Sequence, residues 1–239
     1  MTSGALHVHV YDEAPSTNAI ARTLAEDGAP HGTLVIAKRQ TQGRGRLGRV
    51  WHDGGCGNCM ASLILRPSTS IQYTPMVCLA AGVAIQKECG AAVGLKWPND
   101  LVDRELRKVG GILAEMETNG QTVQFVIVGF GVNVVSTPTA APNPVSLADL
   151  GIMIEAEAFA RRCATNLVQW VDHLSQSARR EELLAAWRAV DFIDGKAVRI
   201  GAIHGRACGV DHEGSLRVMS DTGQLQLIRA GDVEMVSGF

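Results

Sequence analysis

Apolar and polar positions alternate, or run together for a few residues, in several short stretches of the chain. A period of two is typical of half-buried strands, and a short apolar run bounded by turn residues is typical of fully buried ones. Strands are therefore predicted at residues 6–11, 33–37, 60–65, 94–97, 111–115 and 123–129. Pro98 should end the fourth of these, because proline cannot donate to a strand ladder, and this leaves Asn99 and Asp100 exposed at its tip.

Other stretches repeat their apolar positions every three or four residues, which predicts helices. The first helix, residues 18–27, follows a Ser16-Thr17 cap and stops at Gly28. Further helices are predicted at residues 74–89, 155–177 and 181–190, and the proline-containing residues 136–145 are predicted to form a loop. The order of elements indicates an α/β (α+β) fold, in which helices flank a mixed β-sheet.

The pattern changes near the C-terminus. From residue 195 onward, five short β-prone runs alternate with glycine turns at Gly201, Gly214, Gly223 and Gly231. Such a pattern is typical of a small β-barrel. We therefore predict two domains, a larger one at residues 1–190 and a small barrel at residues 191–239.

Composition narrows the classes of function. The chain has 239 residues, of which 46% are hydrophobic and 19% charged, enough to bury a substantial core. Its net charge of −2 argues against general nucleic-acid binding, so any anion site must be local. The first residues do not resemble a signal peptide, and the longest apolar run, residues 76–85, is too short to span a bilayer. We therefore expect a cytoplasmic protein that does not enter a membrane.

Cysteine and histidine patterns leave two metal hypotheses open. The six cysteines are expected to be reduced thiols, because the chain has its own core and no secretory signal. Cys56 and Cys59 form a lone CxxC, which is compatible with metal or redox chemistry but more typical of ordinary packing. His7 and His9 are predicted to share one face of the first strand. Two interpretations of this pair are a set of metal ligands and part of a solvated sheet surface.

Residues 43–49 read Gly-Arg-Gly-Arg-Leu-Gly-Arg and are called the Gly/Arg loop below. Glycine lets backbone N–H groups approach a ligand, and arginine presents a planar charge suited to phosphate or carboxylate. The stretch therefore predicts an anion-binding loop. A nucleic-acid tether and a solvated basic turn are the alternatives, although the stretch is not repeated and lies between an apolar run and Trp51.

A second candidate segment reads Lys-Trp-Pro-Asn-Asp at residues 96–100, and Lys108 follows it after a charged turn. A carboxylate at position 100 is suited to Mg²⁺, and a lysine beside small glycines can reach an anionic ligand as a point charge. Taken singly, Asp100 is equally compatible with a turn residue that bonds its own backbone, and Lys108 with a solvated strand end.

Together these segments resemble the biotin protein ligases, which activate biotin with ATP and attach it to a lysine of a carrier protein. The matching pieces follow the family's order: residues 16–18, residues 40–51 with GRGRxGR, Gly57-Asn58, KWPNDL at residues 96–101, Lys108 with residues 111–113, and GxGxN at residues 129–133. The resemblance implies a catalytic domain like that of class II aminoacyl-tRNA synthetases, followed by an SH3-like barrel.

The resemblance also implies roles for individual residues. The implied catalytic residues are Lys108, Arg46 and Asp100, and Asp100 is also the tentative Mg²⁺ ligand. Biotin would contact Ser16, Thr17, Asn18, Gln40, Gly43, Arg44, Lys108 and Gly111. ATP would contact Arg44, Arg46, Arg49, Trp51, Lys108 and Asn133.

The implied reaction joins biotin and ATP as biotinyl-5′-AMP, with Mg²⁺, and then transfers biotin to a carrier lysine. The implied partner is the biotin carboxyl carrier domain of acetyl-CoA carboxylase or a related carboxylase, and the chain is compatible with a monomer and with a homodimer. Some family members also repress transcription through an N-terminal helix-turn-helix domain. Because the first family residues here begin at Ser16, we expect a ligase that binds no nucleic acid. Lipoate ligase or octanoyltransferase, and a biotin-binding regulator without ligase activity, are the alternatives.

Overall fold

The structure is a computed structural model that describes residues 5–67, 74–139 and 143–236. Within these residues, a seven-stranded sheet has the order β1-β2-β3-β7-β6-β5-β4. Its strands are β1 (His7–Tyr11), β2 (Thr33–Ala37), β3 (Cys59–Leu65), β4 (Val93–Lys96), β5 (Asp100–Asp103), β6 (Lys108–Asn119) and β7 (Thr122–Val132). Strand β1 is parallel to β2 and every other pair is antiparallel, so the mixed sheet predicted from the sequence is confirmed.

Helices cover both faces of this sheet. They are α1 (Thr17–Glu26), α2 (Thr74–Cys89), α3 (Ala156–Val171) and α4 (Ser177–Val190). Helix α1 packs through Ala21 and Ala25 on Val35, Ile64 and Ile127, which form a small core on one face. The main core lies on the opposite face and includes the other three helices.

A second sheet follows α4. Its order is β11-β10-β9-β8-β12, and its strands are β8 (Ala197–Ile200), β9 (Ile203–Val210), β10 (Leu216–Met219), β11 (Leu225–Ile228) and β12 (Glu234–Met235). All its pairs are antiparallel, and the turns at Gly201, Gly214 and Gly223 have the positive φ angles that favour glycine. The five predicted β-prone runs are thus confirmed, whereas the SH3-like closure and the division after residue 190 stay predictions.

Three local predictions need correction. Residues 100–103 form strand β5, which antiparallel pairing with β4 and β6 stabilises although the segment is too short to show a clear pattern. Asp100 therefore begins a strand and, like Asn99, is partly buried rather than exposed at a tip. The predicted helix at residues 155–177 ends at Val171, and Arg180 donates to the carbonyls of Leu174 and Ser175 in the turn that follows.

The predicted loop at residues 136–145 is confirmed where the structure describes it, and residues 140–142 lie outside the described residues. Ser16 occupies the N-cap position of α1 as predicted, but its side chain makes no capping hydrogen bond. Within the described residues, no helix is both long and apolar enough to cross a membrane.

A largely buried carboxyl group lies where α4 joins the second sheet. Asp191 follows α4 directly and accepts a hydrogen bond from the Ile193 N–H at 3.1 Å. Burial, as the largest cause, raises the pKa of Asp191 from 3.8 to about 6. The folded protein therefore holds this proton more tightly than the unfolded chain, and stability falls as the pH rises from about 4 to above 6.

We expect Asp191→Asn to raise the melting temperature at pH 7.5 by several degrees and to leave it nearly unchanged at pH 4, since the amide keeps the bond to Ile193 without a buried charge. The shift corresponds to as much as about 3 kcal/mol at pH 7.5. Thermal melts across this pH range test the expectation, with Asp221→Asn as the matched control, because Asp221 is exposed and does not contribute to the pKa shift of Asp191. An equal gain at both pH values would show that the charge of Asp191 is not the cause.

Candidate active site

A cavity of about 370 Å³ opens beyond the N-terminus of α1, on the face of the main sheet that this helix covers. The period of two along β7 explains its position. Phe125 and Ile127 fill the space beneath α1, and the next residues on that face, Gly129 and Gly131, have no side chains to fill it. Gly111 of the neighbouring strand β6 pairs with Gly131, so glycines form much of the cavity floor.

The floor glycines differ in how much room surrounds them. A Cβ at Gly129 would overlap Oδ1 of Asn18, whereas a Cβ at Gly111 would meet its nearest neighbours, Cε and Nζ of Lys108, at an ordinary 3.4 Å. Asn18 cannot yield easily, because Ser62 and Glu115 hold its amide at 2.6 and 2.7 Å.

We therefore expect Gly129→Ala to destabilise the fold by about 1–3 kcal/mol, the usual cost of overpacking, and to lower the melting temperature. Gly111→Ala on the neighbouring strand is the matched control and should melt near the wild-type temperature. Thermal unfolding of both variants tests the expectation, and equal effects would contradict it.

A chain of hydrogen-bonded polar side chains lies at the inner end of the cavity, where Gln40 and Asn18 belong to the lining and Thr17 and Ser62 are buried behind it. Oε1 of Gln40 accepts hydrogen bonds from the backbone N–H of Thr17 at 2.7 Å and from its hydroxyl at 3.1 Å. Ser62 bridges Thr17 and Asn18, and Asn18 donates to Glu115. These bonds fix the orientation of the Gln40 amide, whose N–H₂ group remains as a donor in the cavity wall.

Lys108 and Asp100 form an ion pair in the cavity. Nζ of Lys108 lies 2.6 Å from Oδ1 of Asp100 and 6.0 Å from the centre of the Trp51 ring. The neighbouring Arg107 turns away and bonds Asp103 instead. Both side chains line the cavity, and about one-third of the Lys108 side chain remains exposed. An anion that enters the cavity can therefore reach Lys108 directly.

The Gly/Arg loop covers the mouth of the cavity. Residues 46–48 form a single 3₁₀ turn, closed by the bond from the Arg49 N–H to the Arg46 carbonyl, and Gly48 has a positive φ of 73°. Nη1 of Arg46 donates to Oδ1 of Asn99 at 2.9 Å, which attaches the loop to the segment at residues 96–100. The two segments singled out in the sequence are thus in contact.

The cavity is strongly cationic, although the chain as a whole carries −2. Five cationic side chains and two carboxylates line it: Arg44, Arg46, Arg49, Lys96 and Lys108, with Asp100 and Asp232. A partly enclosed wall strengthens this local potential, because little water screens it. The site is therefore suited to a ligand with several negative charges.

The structure brings together most residues predicted for the site. Those that line the cavity are Ser16, Asn18, Gln40, Arg44, Arg46, Arg49, Trp51, Asp100, Lys108, Gly111 and Asn133. Thr17 and Gly43 lie outside the lining; Thr17 is buried and acts on Gln40. The individual roles assigned to all these residues stay predictions.

Sequence reasoning missed several lining residues. Lys96 and Asn99 belong to a segment that had been singled out, but they were not named as site residues, and His52 follows Trp51 directly. Asp232 comes from the second sheet, and no local pattern marks it. Its contact with Arg49 joins residues 183 positions apart.

Trp51 and Asn133, predicted as nucleotide contacts, have different surroundings. Nε1 of Trp51 is buried without a hydrogen-bond partner, and the indole ring lies against Gly131. Asn133 donates its amide hydrogens to the backbone carbonyls of Lys108 and Val145 at 3.3 Å each. It therefore holds the backbone of Lys108 in place, whatever else it contacts.

The described residues contain no group of three or more His, Cys, Asp or Glu side chains that could hold a metal ion.

Cys78, close to the site, donates to the Pro98 carbonyl at 3.7 Å, and burial raises the pKa of its thiol to about 11. The thiol is thus protonated at neutral pH and is a poor nucleophile.

Comparison with known proteins places this site in context. The profile of the Biotin/lipoate A/B protein ligase family matches residues 11–133. A relative named "Bifunctional ligase/repressor BirA", from Bacillus subtilis, is 33% identical over 96% of this chain and 74% of its own length. A "Biotin--[acetyl-CoA-carboxylase] ligase" of Paracoccus denitrificans is 34% identical over 91% of this chain and 96% of its own.

A solved structure of similar fold is the biotin protein ligase of Aquifex aeolicus in complex with biotin and ATP. It superposes with a TM-score of 0.77 over 97% of this chain and 99% of its own, at 24% identity. At this identity the likeness concerns the fold, including helices on both faces of a mixed sheet.

Proposed function

The chain belongs to the Biotin/lipoate A/B protein ligase family, and we propose from this premise that it is an ATP-dependent biotin protein ligase. The observation that carries the proposal is a cavity with a glycine floor, polar amides at its inner end and five cations in its lining, of which Lys108 lies near the floor and the arginines of the Gly/Arg loop lie at the mouth. The inner end suits an uncharged ring that exchanges hydrogen bonds, and the mouth suits phosphates and a carboxylate.

In the first step, the biotin carboxylate attacks the α-phosphorus of ATP and pyrophosphate leaves. Two anions must meet, so the cations have to offset their repulsion and the charge that develops on the phosphoryl oxygens. Lys108 is the cation nearest the cavity floor, and its partner Asp100 fixes the position of its ammonium group. We assign Lys108 to the biotin carboxylate and the α-phosphate, and Arg44, Arg46 and Arg49 to the remaining phosphates.

In the second step, the carrier lysine loses a proton, its amine attacks the carbonyl carbon of the mixed anhydride, and AMP leaves. Asp100 is the carboxylate positioned to orient this amine once a ligand anion occupies Lys108. The Gly/Arg loop covers the mouth, and a covered mouth limits hydrolysis of the anhydride by water.

Three alternative functions are less well supported by the site. An octanoyltransferase would need a cysteine nucleophile, and the buried thiol of Cys78 is protonated and does not line the cavity. A lipoate ligase has no use for several hydrogen-bonding groups at the inner end, because the lipoyl ring is apolar. A regulator that only binds biotin would not need Lys108 and Asp100 paired at the cavity floor.

Mg²⁺ accompanies ATP in reactions of this kind, but the fit of a protein-held ion is incomplete here. Asp100 already accepts from Lys108, and no metal-binding cluster occurs among the described residues. We therefore assign Mg²⁺ to the phosphates of ATP.

The proposed partner is a biotin carboxyl carrier domain of acetyl-CoA carboxylase or a related carboxylase; the name of the Paracoccus denitrificans relative gives acetyl-CoA-carboxylase as the target of that protein. The net charge of −2 supports the further proposal that the chain acts as a ligase without repressing transcription. A gel-shift titration with biotin-operator DNA tests this second proposal separately, and a specific shift would contradict it.

The test of the main proposal is incubation of the protein with ATP, Mg²⁺, biotin or lipoate, and an apo carrier domain, followed by mass spectrometry of the carrier. We expect the mass of one biotinyl group on the carrier, dependent on ATP, and none on a carrier whose acceptor lysine is arginine. Transfer of lipoate instead of biotin, or biotin binding without transfer, would contradict the proposal.

A further inference from the structure

A carboxylate of the second sheet reaches the cavity of the main sheet. Asp232 lies two residues before β12, and of the described residues of the second sheet and its turns, Asp232 and Val233 are the ones that line the cavity. The proposed reaction does not use Asp232. A negative charge among cations that must bind phosphates therefore requires an explanation.

Asp232 contacts two arginines of the Gly/Arg loop. Its Oδ1 lies 3.6 Å from Nη1 of Arg46, and its Oδ2 contacts Nη2 of Arg49. A guanidinium has five N–H donors, and these contacts use one nitrogen of each arginine. Both arginines therefore keep donors with which to bind an anion while Asp232 holds them.

The tip of the loop has little apolar packing to hold it in place. Leu47 is 76% exposed, and Val50, which directly follows the loop, is 63% exposed. The bonds from Gly45 to Arg49 and from Arg49 to Arg46 stay within the loop, so they do not attach it to the rest of the protein. Its charged side chains make the attachments, to Asn99 on one side and to Asp232 on the other.

The sheet that carries Asp232 is itself fixed to the site. The buried indole of Trp97 donates through Nε1 to the carbonyl of Gly214 at 3.0 Å, which ties the β9–β10 turn of the second sheet to the segment at residues 96–100. Asp232 therefore belongs to a sheet region that is itself hydrogen-bonded to the site. The Arg46 guanidinium lies between Asp232 and Asn99 and contacts both.

We propose that Asp232 is a positioning residue for the Gly/Arg loop: it holds Arg46 and Arg49 over the cavity before the ligand binds, so that the second sheet contributes to ATP binding through the two arginines. Asp232 acts through these side chains and does not touch the reacting atoms. The part of this inference that concerns ATP rests on the proposed function; the part that concerns the loop does not.

The loop itself is tested by limited trypsin digestion of the full chain without ligands, since trypsin cleaves after each arginine of the loop. We expect Asp232→Asn to speed cleavage within residues 43–50 by about threefold to tenfold, the range that two partly exposed ion pairs can supply. Asp232→Glu should restore part of the protection. Glu234→Gln is the matched control, because it removes a carboxylate from β12 that pairs with Arg199 and not with the loop.

Steady-state kinetics test the link to ATP. Asp232→Asn should raise the KM for ATP by about threefold to tenfold and change kcat less, because the arginines are still present but less well ordered. Pyrophosphate release is the measurement, again with Glu234→Gln as the control.

Loop cleavage of Asp232→Asn at the wild-type rate would overturn the proposal. So would faster cleavage throughout the chain together with a lower melting temperature, since that result indicates a general structural role. An unchanged KM for ATP would overturn the link to ATP. If the wild-type protein does not biotinylate a carrier, the proposed function fails, while the digestion result still decides the role of Asp232 in the loop.

Discussion

Replacing Lys108 with alanine should abolish adenylate formation, with a loss of about 10²- to 10³-fold in pyrophosphate release from biotin and ATP. Lys108 supplies the cation closest to the point where carboxylate and α-phosphate meet. The change should leave the strand in place, because the Lys108 N–H donates to Asn143 at 2.9 Å and its carbonyl accepts from Val145 at 3.0 Å. The loss would then reflect the missing charge rather than a displaced backbone.

Lys108→Ala also leaves Asp100 without its partner, and an unpaired carboxylate would repel phosphates. The double variant Lys108→Ala/Asp100→Asn separates the two effects. We expect it to remain as inactive as the single variant, since the reaction needs the cation. Recovery of activity in the double variant, or near wild-type release from Lys108→Ala, would contradict the assigned role. Lys38→Ala, which removes an exposed lysine outside the cavity, is the control.

The central strands of the fold could be predicted from the sequence because their signal is local. Residues 33–37 and 60–65 are apolar runs of strand length, and the structure places β2 and β3 there. Strand β5 was missed because it is only four residues long and is stabilised by pairing with the two adjacent strands, β4 and β6, rather than by a pattern of its own. The end of α3 was misplaced because apolar Leu174 continues the helical period beyond Val171.

The residues of the site can be separated in the same way, into those with a local signal in the sequence and those that depend on contacts between remote positions. The Gly/Arg loop and Lys108 were found because charged residues beside glycines stand out over a few positions, and Asp100 was found because it follows Pro98, which was expected to end a strand. The polar chain from Gln40 through Thr17 to Asn18 was found only in part, because the bond of Ser62 to Asn18 spans 44 positions. Asp232 was missed for the same reason, because it is one acidic residue among many in the sequence and only its contacts with Arg46 and Arg49 distinguish it.

The proposed role of the Gly/Arg loop leads to the second large effect. Arg46→Gly should let biotinyl-5′-AMP dissociate roughly 10- to 100-fold faster, because the ligand loses a charge-assisted hydrogen bond and the loop loses two of its attachments, so that of the side-chain attachments among the described residues only the contact of Arg49 with Asp232 remains. Arg46 contacts both Asn99 and Asp232, so its replacement by glycine removes one contact with each of these two residues. A third glycine within residues 43–46 would also make the closed loop costlier to order.

Released adenylate acylates exposed amines without enzymatic selection, so Arg46→Gly should biotinylate bystander proteins that the wild type leaves unlabelled. The measurement is the dissociation rate of preformed, labelled adenylate, together with biotin transfer to a protein that has no carrier domain. Arg39→Gly is a matched control, because it makes the same substitution at an exposed arginine outside the cavity. If Arg46→Gly retained adenylate as tightly as the wild type, the loop would not be the element that holds it, and the role given to Arg46 would be wrong.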